Sequence, residues 1–221
     1  MTIDTNDLLN SILASMDRIH HVKTADLPNI DLYMDQVTTF MEEQLKHSAR
    51  NPEGDKILTK TMINNYAKND LLPPPIKKKY NKEHLAALIF IYYSKGIMSI
   101  QDIQAMLGPL TDRYFNSDGQ INLCSIYDEV FSMDEERADE LKEDIAKKFS
   151  RSKQTFLDTD GEDKELLQMF SFIFMLGYDV YIKKLLIEKL LDNFNGMTNG
   201  VDNKEKKPKE KSKDKIKEKN K

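Results

Sequence analysis

Apolar residues recur at three- and four-residue spacing along most of the chain, and this is the period of an α-helix. Side chains at these spacings share one face of a helix, so each run predicts an amphipathic helix. The first two runs are Leu8, Leu9, Ile12, Leu13, Met16 and Ile19, then Leu32, Val37, Phe40, Met41 and Leu45. Strand-like alternation is absent outside one candidate hairpin around residues 73–80. The sequence therefore predicts an all-α fold with a small hairpin.

Capping and turn residues divide the rest of the chain into further helices. Thr59 and Asn81 are suited to cap helices over 60–68 and 82–94. Ser99 with Asp102 resembles a capping box and predicts a short helix that stops at Gly108-Pro109. Four more helices are predicted at about 122–131, 135–149, 164–176 and 179–194.

Together with the composition, these capping and turn residues predict that the chain is divided into four segments. The last is nearly pure Lys, Glu, Asp and Asn, which cannot bury a core, and we expect it to be disordered. The helices at 164–176 and 179–194 are apolar around most of their circumference, and we expect them to form a homodimer interface. The segments are an N-terminal helical arm at 1–27, a winged-helix domain at 28–110, a C-terminal helical region for dimerisation or an effector at 111–200, and a lysine-rich tail at 201–221.

Several classes of protein are disfavoured by the composition. The single cysteine, Cys124, excludes a disulfide framework and lies in an apolar neighbourhood where a buried thiol is expected. The histidines have no metal-ligand spacing, and no catalytic arrangement or glycine-rich phosphate loop is evident. No apolar run reaches the ~18 residues of a membrane span, and no targeting segment is visible. We expect a cytoplasmic protein that is not an enzyme and has no metal or cofactor.

A basic island lies inside an otherwise acidic chain. Residues 56–95 carry eight basic and two acidic side chains, a net charge of +6. The segments before and after it, 1–55 and 96–149, carry net charges of −6 and −7. Because the net charge of the whole chain is only −4, the total hides this island. The distribution favours binding of an anionic partner at residues 56–95.

Two features of the island are suited to duplex DNA. Thr61, Asn64, Asn65 and Lys68 lie at spacings that place them on one face of the predicted helix, and Lys60 precedes them. Asparagine can read adenine edges, while threonine and lysine can contact phosphates or bases. The alternative is an ordinary polar stripe on a surface helix.

The second feature is a proline run that projects three consecutive lysines. Pro73-Pro74-Pro75-Ile76 leads into Lys77, Lys78, Lys79 and Tyr80, which would form the tip of a short wing and grip phosphates. The alternative here is a solvated charged loop.

These residues also resemble a known module. The stretch LTKTMINNYAKNDLLPPPIKKKYNKEHLAALIFIYYSKGIMSIQDIQAML (58–107) resembles the winged-helix DNA-binding module of the MerR regulators. With NIDLYMDQVTTFMEEQL (29–45) it is similar to a Firmicutes family catalogued as domain of unknown function 1836, over roughly 28–195. The resemblance implies a recognition helix that ends at Tyr66 and a basic wing after it. The sequence departs from the MerR pattern at Asn64 and Asn65, where an arginine and an aromatic are usual, and at Asp70, where a glycine is usual.

Together, the residues and the resemblance predict a DNA-binding transcriptional regulator that acts as a homodimer on double-stranded DNA. Helix 60–68 would enter the major groove and the wing would hold adjacent phosphates. The competing hypothesis is a helical protein–protein interaction module that has the winged-helix shape and does not bind DNA. Neither an operator nor a small-molecule effector can be named from the sequence.

Overall fold

The computed structural model describes residues 5–16, 21–51, 54, 56–132 and 134–202, and most of these residues are helical. They form eight α-helices and two short strands. In chain order these are α1 (Thr5–Met16), β1 (Leu32–Tyr33), α2 (Met34–Leu45), α3 (Lys60–Lys68), β2 (Lys79–Tyr80), α4 (Lys82–Ser94), α5 (Ile100–Tyr114), α6 (Leu123–Phe131), α7 (Asp134–Ser152) and α8 (Gly161–Asp202). The predicted all-α class is confirmed.

The two strands join the start of α2 to the predicted hairpin. β1 and β2 are antiparallel, with Leu32 opposite Tyr80 and Tyr33 opposite Lys79. The sequence places Leu32 in the second helix, and this is wrong. The helix begins only at Met34, because Leu32 and Tyr33 pair with β2 and Gln36 Oε1 accepts a hydrogen bond from the Tyr33 backbone N–H at 2.9 Å.

Helix α4 is the centre of the hydrophobic core. Its sequence is apolar nearly all round, which is the pattern of a helix covered on every side. It contacts β2, α5 and α6. Its fully buried residues are His84, Leu85, Ala86, Ala87, Leu88, Ile89 and Ile91.

The core cluster extends over residues 22–131 of the chain. At its amino-terminal edge, Tyr127 of α6 donates a hydrogen bond to the Val22 carbonyl at 2.6 Å. The Thr24 hydroxyl donates to the Asp128 carboxylate at 2.6 Å. These bonds attach the connector before β1 to α6, so the segment from 22 to 131 packs as one unit around α4.

Helices α7 and α8 pack against each other beside this unit. Phe149 and Phe172 meet edge to face with their ring centroids 5.3 Å apart. The Lys148 ammonium lies 2.7 Å from the Asp179 carboxylate across the helix pair and also pairs with Asp144. Helix α8 contacts α5 as well, which connects the pair to the core unit.

Two predicted helix ends are wrong. Helix α5 continues through Gly108 and Pro109 to Tyr114, so the predicted domain boundary at 110 falls inside a helix. A proline inside a helix removes one backbone hydrogen bond, but here Leu110 and Phe115 pack against the core and hold the continuation in place.

The second error is at Gly177, where two helices are predicted and one is present. Helix α8 runs from Gly161 to Asp202 without interruption. A glycine costs a helix only about 1 kcal/mol relative to alanine. The contacts of Phe172 before it and Asp179 after it fix both halves on α7.

Parts of the predicted terminal segments lie outside the described residues. Residues 201 and 202 belong to α8, and the rest of the predicted tail, 203–221, lies outside, as does Ile19 of the first predicted helix. Among the described helices, none combines the length and the hydropathy that crossing a bilayer requires.

Candidate nucleic-acid interface

Helix α3 is held by its cap and by one apolar face. The Thr59 hydroxyl accepts a hydrogen bond from the Met62 backbone N–H at 3.2 Å, as the sequence predicts for a helix cap. Ile63 is fully buried, and α3 contacts α2. The helix is therefore anchored through its apolar face.

The opposite side of α3 faces solvent. Thr61, Asn64, Asn65 and Lys68 are all exposed, as the helical spacing predicts. Within the described part of the chain, the side chains of Thr61 and Asn64 form no hydrogen bond. The amide of Asn64 and the hydroxyl of Thr61 thus have their full hydrogen-bonding capacity available for a partner.

Tyr66 does not belong to this exposed row. Its side chain is 7 % exposed and packs in the core, and burial raises the pKa of its hydroxyl. Position 66 lies three residues after Ile63 on the same helix face, so the apolar side of α3 takes the ring inward. The resemblance implies a site role for Tyr66, and the structure places it among the residues that support α3 instead.

A tight hairpin turn carries the wing lysines. The backbone N–H groups of Ile76 and Lys79 each donate to the other residue's carbonyl, at 3.1 and 2.9 Å. Between them, Lys77 and Lys78 have φ values of 51° and 66°. Two central residues with positive φ define a type I′ turn, which fits the twist of a hairpin and is normally filled by Asn-Gly. Both lysine side chains are exposed at the tip.

Lys79 and Tyr80 follow the tip, and they are less exposed than Lys77 and Lys78. The Lys79 ammonium lies 5.2 Å from the centroid of the Tyr33 ring, a cation–π distance. Tyr80 is 2 % exposed and lies edge-on to His84, with ring centroids 5.3 Å apart. A buried ring cannot grip a phosphate, so the role predicted for Tyr80 is wrong. Alternation along β2 explains this, since successive strand residues face opposite sides.

Lys60 at the start of α3 is engaged with α2. Its ammonium forms an ion pair with the Asp35 carboxylate, and both side chains are largely exposed. Asp35 stands two residues after Tyr33, which contacts Lys79. The start of α2 therefore touches both predicted elements of the interface, the beginning of α3 through Asp35 and the wing through Tyr33. Sequence reasoning missed both residues, although the acidic Asp35 between Tyr33 and Gln36 is typical of a helix first turn.

His84 supports the wing from below. Its Nδ1 accepts a hydrogen bond from the Asn81 backbone N–H at 3.1 Å, and its Nε2 lies 3.4 Å from the Pro74 carbonyl oxygen. Burial lowers the pKa of the ring, against smaller opposing effects from the Pro74 and Pro73 carbonyls and from Asp31. The neutral ring thus bridges the proline run to the start of α4.

Other chemistry finds no support in the described residues. Among them, no three His, Cys, Asp or Glu side chains are grouped as metal ligands. Cys124 is half-buried, and burial raises the pKa of its thiol from 9.0 to about 11. At neutral pH the thiol is protonated and therefore a poor nucleophile.

Comparison with known proteins identifies one family. The model of the family described as Domain of unknown function (DUF1836) matches residues 22–130, which confirms the resemblance to that family over this part of the chain. The matched segment coincides with the core unit at 22–131. No curated protein and no solved structure matches the chain.

Proposed function

We propose that this chain is a DNA-binding transcriptional regulator. The exposed row of α3 enters the major groove, and Lys77 and Lys78 at the hairpin tip hold the adjacent phosphates. The observation that carries the proposal is the placement of two lysines, both exposed, at the two turn positions where lysine is least favoured.

The turn lysines have a conformational cost. A non-glycine residue in the left-handed region costs roughly 1–2 kcal/mol, and Lys77 and Lys78 both occupy it. Asn-Gly would form the same turn without this cost. Strain at exposed residues is typical of functional positions, where a required side chain outweighs stability. A phosphate backbone is the partner that two adjacent ammonium groups suit best.

The exposed row of α3 supplies groups that can read bases. An asparagine amide can bind N6 and N7 of adenine with two hydrogen bonds. Asn64 has its amide available, and Lys68 and Thr61 flank it on the same face. A helix also fits the width of the major groove. Contact confined to α3 and the wing is consistent with the acidic segments on either side of the basic island, which repel DNA elsewhere.

The wing is tested by exchanging its lysines for the residues that the turn prefers. Lys77→Asn with Lys78→Gly removes two charges and relieves the strain. Loss of two phosphate contacts should make the slope of log affinity against log salt shallower by about 1.8. Affinity should fall for every duplex, while the melting temperature should rise. The assay is fluorescence anisotropy at several salt concentrations, with a duplex selected from a random pool by the parent protein.

A matched variant controls for charge alone. Lys147→Gln with Lys189→Gln removes two exposed lysines from α7 and α8, and its salt slope should equal that of the parent. Failure to select any duplex, or an unchanged slope in the wing variant, contradicts the proposal.

The exposed row of α3 is tested by Asn64→Ala with Asn65→Ala. This change removes no charge, so the salt slope should stay the same. If the amides read base edges, the variant loses about 1–3 kcal/mol per bidentate contact on the selected duplex and nothing on a shuffled duplex. Asn69→Ala, just beyond the helix, is the control and should leave discrimination intact. Equal losses on both duplexes would show that α3 does not read sequence.

A second candidate function is a protein-interaction module that does not bind DNA. It is favoured by an open, partly apolar groove beside α2, which carries two carboxylates that would repel DNA and attract a basic peptide. The groove has a volume of about 360 Å³ and is lined by Pro28, Leu32, Asp35, Gln36, Thr39, Phe40 and Glu43. The selection from a random duplex pool separates the two functions, since a module of this kind enriches no duplex.

A further inference from the structure

Helix α8 exposes an apolar stripe with a heptad spacing. Leu166, Phe170, Ile173, Gly177 and Val180 alternate at intervals of three and four residues, the pattern of a coiled-coil seam. We call these five residues, with the adjacent Phe174, Tyr178 and Tyr181, the α8 stripe. The large side chains of the stripe are 54–67 % exposed. Three successive ring contacts, from Phe170 to Phe174, Tyr178 and Tyr181, run along it at centroid distances of 6.1–6.4 Å.

The residues that the structure describes do not cover this stripe. The residues of α8 that meet α7 and the turn after it are on the other side of the helix. Among them are Phe172, which is buried against Phe149, and Gln168, whose amide donates to the carbonyls of Lys153 and Thr155 at 3.0 Å. Apolar patches of this length on a monomer usually mark an interaction surface.

Gly177 lies in the middle of the stripe. It has no positive φ, and a Cβ placed on it meets nothing within 4 Å. Neither the backbone conformation nor packing within the described chain therefore requires glycine, although a helix interior is a costly place for it. A small residue at a seam position allows the backbone of another helix to approach closely. Gly177 thus points to a helix that packs over the stripe.

The charges at the two ends of the stripe are opposite. Asp163 precedes Leu166 by three residues, and Lys184 follows Val180 by four, so both continue the heptad. Asp163 is exposed, and the Lys184 side chain is half-exposed with only a distant partner, Glu188 at 3.9 Å. A copy of α8 laid antiparallel over the first places Asp163 against Lys184 at both ends.

We infer that the α8 stripe binds a second copy of this chain, with the two α8 helices antiparallel and a two-fold axis beside Ile173 and Phe174. This register sets Gly177 of each copy against the Phe170–Ile173 segment of the other, so a bulky segment meets the glycine gap. The two Asp163–Lys184 pairs flank the apolar centre. The inference rests on α8 alone and holds whether or not the chain binds DNA.

The exposed rings of the stripe supply more than half of the area that such a contact takes. An aromatic side chain presents about 150–250 Å², so the four rings, each 54–62 % exposed, offer roughly 450 Å² per copy. A stable interface takes about 800 Å² per partner. Leu166, Ile173 and Val180, all more than half exposed, contribute toward the remainder.

The orientation is tested by exchanging the end charges in the full chain. Asp163→Lys and Lys184→Asp each place like charges together twice per dimer, and each should raise the dimer dissociation constant roughly tenfold. The double variant restores both pairs in reverse and should dimerise as the parent does. Sedimentation equilibrium over 1–100 µM measures all three, with Glu165→Lys as a control in the same helical turn but off the stripe.

Three outcomes of this experiment would overturn the inference. A parent that stays monomeric up to 100 µM has no such interface. A parent dimer unaffected by either single variant uses another surface or another orientation. A double variant no better than the single variants lacks the charge pairing.

Cysteine cross-linking gives an independent readout of the orientation of the two helices. In a Cys124→Ala background, Ile173→Cys lies beside the two-fold axis, and diamide should oxidise the two thiols of a dimer to an intermolecular disulfide. Leu166→Cys should not cross-link, because its copy lies about 22 Å away along the helix at 1.5 Å per residue, far beyond disulfide reach. Cross-linking at both positions indicates parallel helices, and cross-linking at neither indicates a different face. Either result overturns the inference.

Discussion

At the scale of single residues, His84 links the wing to the hydrophobic core. Its neutral ring accepts from the Asn81 N–H through Nδ1 and lies within reach of the Pro74 carbonyl through Nε2. Tyr80 and Phe115 lie edge-on to it, with ring centroids 5.3 and 4.7 Å away. The Asn81 side-chain Oδ1 also lies 2.7 Å from Nδ1. His84 is only 1 % exposed, and this burial disfavours the charged ring, which lowers the pKa of His84.

This arrangement predicts a loss of stability in mild acid. The pKa of His84 is below its ordinary value of 6.5 in the folded chain, chiefly because the ring is buried. The unfolded chain therefore takes up the proton first as the pH falls. The stabilising contribution of His84 is complete above pH 6.5 and decreases as the pH falls below it toward the lowered folded pKa. The midpoint of urea unfolding should be lower at pH 5.5 than at pH 7.5.

Two variants identify the group responsible for this pH dependence. His84→Gln keeps an acceptor for the Asn81 N–H but cannot titrate, so the difference between the two midpoints should shrink. His47→Gln removes an exposed histidine and should leave the difference as it is in the parent. An equal pH dependence in the parent and in His84→Gln would show that His84 is not the titrating group.

At the scale of secondary structure, local signals predict helix starts better than helix ends. Thr59, Asn81, Ser99 and Asn122 all accept a hydrogen bond at the start of a helix, and the first three are predicted as caps because a cap depends on residues within one turn. The ends at Pro109 and Gly177 are wrong because packing against distant elements decided them. Tertiary contacts compensate for an unfavourable residue, and a single sequence does not display those contacts.

In the candidate interface, too, the sequence predicts what depends on local spacing and misses what depends on distant pairing. Helical spacing correctly places Thr61, Asn64, Asn65 and Lys68 on one exposed face, because the period of a helix is fixed. It cannot find β1, whose two residues are strand only through their pairing with β2. The burial of Tyr80 follows from that pairing, and so does the contact of Lys79 with Tyr33. A two-residue strand leaves too short a pattern to recognise.

At the scale of the whole molecule, the two proposed surfaces occupy different parts of the chain. The candidate DNA interface belongs to the core unit at 22–131, which coincides with the family match. The α8 stripe belongs to the α7–α8 pair, outside that match. Helix α5 connects them, since it contributes to the core and contacts α8. A dimer formed through α8 would carry two copies of the α3 and wing surface.

This arrangement predicts that dimerisation and DNA affinity are linked through the number of half-sites. A symmetric dimer reads two half-sites separated by a multiple of one helical turn, about 10–10.5 base pairs. The Asp163→Lys variant should bind a duplex with one half-site as the parent does. On a duplex with two half-sites it should lose roughly the tenfold by which its dimer is weakened, and the addition of Lys184→Asp should restore the affinity. Because Asp163→Lys also adds a positive charge, Glu165→Lys serves as the control, and its affinity should change relative to the parent by the same factor on both duplexes. Anisotropy titrations at one salt concentration measure all four proteins. If Asp163→Lys loses equal affinity on both duplexes, dimerisation through α8 does not act on DNA binding through the number of half-sites.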